Sequence, residues 1–143
     1  MSDNFSELSD LSRKLNEASD RINSTISATN SKLNRLNLGF EVWLTNQPVS
    51  SNDTEEICLG YCEVEGEWQL TLRRRTCDPN WDGPMEDAPD EAIDEDYRPL
   101  LKAGRGLRLD ALALMPRLAE EIRRRGEFLL REIDEAEKSA RQI

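Results

Sequence analysis

The chain has 143 residues, of which 37% are hydrophobic and 34% charged, and its 29 Asp and Glu outweigh 19 Lys and Arg to leave a net charge of -10. That length suits one domain, residues 1–143, with its own core, and so acidic a chain argues against direct nucleic-acid binding, because phosphate contacts need a basic surface. The absence of histidine excludes Ser-His-Asp and Cys-His catalysis and leaves little with which to build a zinc centre.

Residues 1–37 read as an amphipathic helix. Leu8, Leu11, Leu15, Ala18, Ile22, Thr25, Thr29 and Leu36 recur at alternating three- and four-residue steps, with Ile26 and Leu33 beside the stripe. Asn37 and Gly39 supply the stop. From Phe5 to Leu36 such a helix is about 48 Å long, more than a domain of this size covers by itself. Its remaining positions are Ser, Asn, Asp and Thr rather than strong helix formers, so packing must supply its stability. The heptad spacing fits a coiled coil and predicts a homo-oligomer, most simply a two-fold dimer, through this helix.

Residues 38–77 carry the period of a β-meander. Phe40, Val42 and Leu44 alternate with Glu41, Trp43 and Thr45 as a first strand, and NQPVSSNDTEE reads as a loop. The stretch from Ile57 to Arg75, ICLGYCEVEGEWQLTLRRR, is a hairpin whose turn is Glu65-Gly66, since Gly tolerates the positive φ of tight hairpin turns. Its register then sets Val64 opposite Glu67, Cys62 opposite Gln69, Tyr61 opposite Leu70, Leu59 opposite Leu72 and Ile57 opposite Arg74. Ile57, Leu59, Tyr61, Trp68, Leu70 and Leu72 share an apolar face; Cys58, Gly60, Cys62, Gln69, Thr71 and Arg73 share a small, polar one. Cys58 and Cys62 lie roughly 13 Å apart along one strand, and with Cys77 they make an odd count, so reduced thiols are expected.

Residues 78–97 form an acidic loop. Between Asp78 and Asp96 there are nine acidic residues and no Lys or Arg, and Pro79, Pro84 and Pro89 are too closely spaced for a regular helix. Asp78, Asn80, Asp82 and Gly83 match the opening of a calcium loop, but its twelfth position is Pro89 rather than Glu. Those three side chains are a candidate metal site set against an ordinary Asx-rich turn.

From residue 98 to 143 helical spacing returns in Leu100, Ala103, Leu107, Ala111, Met115, Leu118, Ile122, Leu129, Ile133, Ala136 and Ala140, with a kink or break expected near Met115 because Pro116 follows. Arg98, Lys102, Arg105 and Arg108 make a basic stripe along it. Arg73 and Arg75 on the sheet and Arg105 and Arg108 on the helix would form an anion pocket if the two elements faced each other, with Trp43 or Trp81 stacking on a nucleotide-like ring. The plainer reading of these arginines is neutralisation of the acidic loop or solvated edge charge.

The expected fold is therefore α+β, a small antiparallel three-stranded meander flanked by long terminal helices. No apolar run approaches the roughly 20 residues that cross a bilayer, and MSDNFSELSD lacks the basic and apolar regions of a secretory signal, so a cytoplasmic protein is expected. Without histidine, a Gly-rich phosphate motif or a poised thiol, neither catalysis nor a cofactor is expected. The expected function is a noncatalytic, oligomeric protein-interaction module, an adaptor or inhibitor, that shows its helices and acidic loop to a partner with a basic surface. The alternative is a binder of small anionic ligands through Arg73, Arg75, Arg105 and Arg108.

Overall fold

A computed structural model describes residues 2–143. Its order is α1 (Ser2–Leu36), β1 (Val42–Trp43), β2 (Ser50–Ser51), β3 (Glu55–Val64), β4 (Glu67–Cys77), β5 (Ile93–Pro99), α2 (Arg105–Ala113) and α3 (Met115–Arg141). The α+β class with long terminal helices holds. α1 ends where Asn37 and Gly39 take φ of 51° and 75°, the left-handed values that stop a helix.

The β3–β4 hairpin has the register its turn dictates, from Val64 opposite Glu67 through Ile57 opposite Arg74. Glu65 and Gly66 both adopt positive φ, 54° and 80°, as a two-residue turn between twisted strands demands. The sheet has five strands rather than three, in the order β1-β3-β4-β5 with β2 also on β3. β1 and β2 occupy the same edge of β3, opposite Gly60–Tyr61 and Glu56–Ile57 respectively.

β5 corrects the expectation of one continuous loop over 78–97. Its sequence IDEDYRP has no apolar alternation to betray a strand. What it has is charge complementary to β4: Glu95 lies opposite Arg75 and pairs with it at 3.3 Å, while Arg74, opposite Asp96 in the register, pairs with Glu55 of β3 at 3.5 Å. The helix expected from residue 98 is likewise divided. Leu100–Lys102 is a 3-10 turn, Gly104 precedes α2, and the chain breaks at Leu114 so that Pro116 falls in the first turn of α3, where its missing N–H costs no hydrogen bond.

The core lies on the predicted apolar face. Ile57, Leu59, Leu70 and Leu72 pack with Val42 and Leu44, and the helical segments contribute Ile26, Leu100, Ala111 and Leu118. Three asparagines of α1, assigned by composition to its outer surface, instead tie it down. Asn30 Oδ1 accepts the Leu70 N–H at 2.8 Å, a donor just past the last β4–β5 pair at Thr71 and Pro99. Asn34 accepts from the Tyr61 hydroxyl and Asn23 from Arg108 of α2.

These contacts secure only part of each long helix. Every residue from 3 to 17 is exposed, as is every residue from 130 to 143. Because removing the acceptor leaves a buried N–H unpaired, Asn30→Ala should destabilise the protein by about 1–3 kcal/mol, read as a lower urea midpoint, while Asn16→Ala in the exposed half leaves the midpoint unchanged.

Candidate functional site

The sheet face opposite the core holds the most concentrated chemistry. Strand pairing builds two rows across it: Trp43, Gly60, Thr71 and Pro99 in one, Cys58, Arg73 and Tyr97 in the next. Trp43 needs Gly60. A Cβ at position 60 would come within 2.2 Å of the Trp43 ring and 2.5 Å of the Val42 carbonyl oxygen, so only glycine lets the indole lie down on the sheet. The Arg73 guanidinium then sits 4.9 Å from the centre of the Trp43 ring, and Tyr97 packs against the same ring at 5.7 Å. That geometry is a cation–π contact backed by an aromatic pair.

Beneath this layer Cys58, Cys62 and Thr71 are buried, so the polar face is covered rather than open. Burial pushes the Cys58 thiol up to about 11, with the neighbouring Glu56 carboxylate adding to the effect. Cys62 is also raised, again chiefly by burial. Neither is a thiolate at neutral pH, and all three cysteines are free and buried. Such thiols are inert structural groups rather than nucleophiles.

The predicted site residues fall into separate places. Arg73 is held against Trp43, and Arg75 pairs with Glu95 at 3.3 Å, which matches the neutralisation reading for Arg75. Arg108 is engaged with Asn23, and Arg105 is exposed. The side chains that meet α2 come from the core-side face. Arg74, Arg98 and Asp96 join Ile57, Leu72, Ala103 and Leu107 around a cavity of about 30 Å³, space for about one water. The arginines grouped by sequence therefore do not converge. Alternation placed Arg73 and Arg75 on one face correctly, but α2 packs against the other.

Trp81 is also occupied locally, its Nε1 donating to the Pro84 carbonyl at 3.0 Å. Asp78 Oδ1 accepts the Asn80 N–H at 2.9 Å, an Asx turn. Among the described residues no group of three or more His, Cys, Asp or Glu is placed to hold a metal ion. Asp82, Glu86, Asp87, Asp90 and Glu91 are exposed, and none takes part in the ion pairs among the described residues.

Sequence reasoning missed Tyr97, whose position on the sheet follows only once β5 is known. It also missed Gly60, although a glycine directly across from a tryptophan in a strand pair is a signal that register makes legible. No family model, curated protein or solved structure matches this chain.

Two outcomes follow from this face. Gly60→Ala should displace Trp43, cost about 1–3 kcal/mol and shift the tryptophan emission. The folded Cys58 pKa lies above that of the unfolded chain, so its contribution is fully present below the unfolded value, 9.0, and is lost as pH rises towards about 11. Urea titrations should show wild type losing up to about 3 kcal/mol more than Cys58→Ala across that window.

Proposed function

We propose that this protein is a noncatalytic protein-interaction module that acts by presenting the free halves of its two terminal helices. The observation that supports this reading is exposed apolar surface arranged at helical spacing. Phe5, Leu8, Leu11 and Leu15 are 77%, 64%, 53% and 45% exposed on α1; on α3 Ile133, 52% exposed, continues the stripe of Ile122 and Leu129, while Phe128 and Leu130, 42% and 63% exposed, lie on other sides of the helix. Single exposed leucines need no explanation, but a row of them along a helix that has left its own core is what helix-docking partners cover. The free part of α1 lies beyond its contact with α2 at Asn23, and that of α3 beyond Gly126, where a Cβ would come 3.8 Å from the Phe40 ring. Two partner surfaces on one body suit an adaptor.

The unpaired acids between Asp82 and Glu91 give the reading its electrostatic part, steering towards a partner with a basic surface. A homo-oligomer is included in the proposal, the exposed α1 stripe being the place for it. A cytoplasmic site is included too, supported by three buried thiols without a disulfide. Among the described residues no helix is long and apolar enough to cross a membrane. A small anionic ligand has less support, because Arg73, Arg75 and Arg108 are each engaged within the chain.

Affinity capture should distinguish the parts. Leu11→Asp and Ile133→Asp, both at exposed positions, should leave the circular dichroism spectrum unchanged and each abolish a set of captured proteins. Replacing Glu86, Asp87, Asp90 and Glu91 by their amides should slow association and flatten its salt dependence. Capture that is indifferent to all of these changes would reject the module reading.

A further inference from the structure

The exposed half of α1 is self-complementary, and the charges beside its apolar seam select one alignment. The segment from residue 3 to residue 17 is about 22 Å of helix with Leu8, Leu11 and Leu15 in its seam and Phe5 at the flank. Beside the seam stand Glu7 and Lys14. Neither takes part in the ion pairs among the described residues, whereas Arg13 and Asp10, further round the helix, pair with each other at 3.6 Å.

We propose that this half of α1 pairs antiparallel with the same segment of a second copy, with Leu8 of each chain opposite Leu11 of the other and Glu7 of each beside Lys14 of the other. The proposal rests on the reading of α1 as an interaction surface and names its partner.

Three alignments can be compared on charge. In the antiparallel one, the two-fold axis crosses between residues 9 and 10, the middle of the exposed segment. The free length from residue 3 to residue 16 is then used, with Leu15 of each chain over Asn4 of the other, and two Glu–Lys contacts form at once. Moving the pair one layer, so that Leu11 meets Leu15, brings Lys14 of one chain against Lys14 of the other. It also requires Ala18, which is half-buried by its own body. A parallel, in-register pair places Glu7 beside Ser12 and Lys14 beside Ser19 of the second copy, with no charge gain. Its seam also runs on into Ile22, which already packs against the chain's own core. Only the first alignment matches charge, length and available surface together, and it is isologous, the arrangement that closes as a dimer.

The contact is small. Two such helix faces bury on the order of 1,000 Å² in total, the lower bound for a specific interface; area does not set affinity, and the proposal is put to the test at a dissociation constant on the order of 10 μM. Sedimentation equilibrium on the full chain should accordingly show a reversible dimer of the 16.4 kDa chain, and Leu11→Asp should sediment as a monomer with unchanged helicity. The charge variants fix the orientation. Glu7→Lys and Lys14→Glu should each weaken the dimer about tenfold, and the double variant should return to within about threefold of wild type.

A wild-type monomer at about 100 μM, ten times that constant, would overturn the proposal. So would a dimer untouched by Leu11→Asp, or a double variant no tighter than the singles. Failure here is distinguishable from failure of the module reading. A monomer that still loses captured proteins on Leu11→Asp keeps the interaction surface and removes the second copy as its occupant. A dimer with the expected charge pattern, and no captured protein sensitive to any helix variant, keeps the pairing and removes the adaptor.

Discussion

The register of the β3–β4 hairpin is the constraint on which the rest of the structure depends. Glu65 and Gly66 leave one two-residue turn available, and with strand side chains alternating, that turn decides which face every residue occupies. A slip of one position would send Leu70 and Leu72 to the outer face and Thr71 and Arg73 into the core. The correct register supports both layers at once. On one side it gives α1, α2 and α3 an apolar floor. On the other it puts a glycine under Trp43 and an arginine beside it, so a face with no apolar stripe of its own is still closed.

The two ends of α1 are governed by different physics. From Ile22 to Asn34 the helix is fixed by a buried isoleucine and by asparagine side chains that complete hydrogen bonds for a strand edge, a tyrosine and an arginine. Each satisfies a group that would otherwise be left short of a partner in a low-dielectric setting. From Asp3 to Glu17 no such partner is available within the chain, yet the heptad continues without a change of phase. The seam is thus continuous across a boundary where its own core stops, and the same geometry that packs the half-buried Ile22 against the chain's core presents Leu15, Leu11 and Leu8 outside it.

What the sequence made legible follows from how each element is stabilised. The hairpin was readable to the residue pair because alternation, turn chemistry and burial agree there. β5 was not, because it carries no apolar alternation and is held by a backbone ladder to β4 and by the Arg75–Glu95 pair, partners that are its neighbours only in space. The asparagines were misassigned for a similar reason: Asn is a poor helix former and reads as surface, whereas Asn30 answers a donor 40 residues away that no local pattern reveals. For the candidate site, the face holding Arg73 and Arg75 was predicted and the face on which α2 packs was not. Strand alternation is local, while the choice of side depends on where α2 finds apolar surface to cover.

Charge and helix stability together bear on the free half of α1. Its residues include Ser6, Ser9, Ser12 and Asn16, none of which favours the helix strongly, and a segment of about 15 residues is marginal in water even with better formers. In the proposed dimer, covering Leu8, Leu11 and Leu15 on two chains would remove apolar area from water at both copies in one event, and each Glu7–Lys14 contact would add a few tenths of a kcal/mol. The free half is continuous with the anchored turns from Ile22 to Asn34, which supply its nucleus, so the helix stands in the single chain from Ser2 to Leu36 and the proposed pairing would add to a surface already formed.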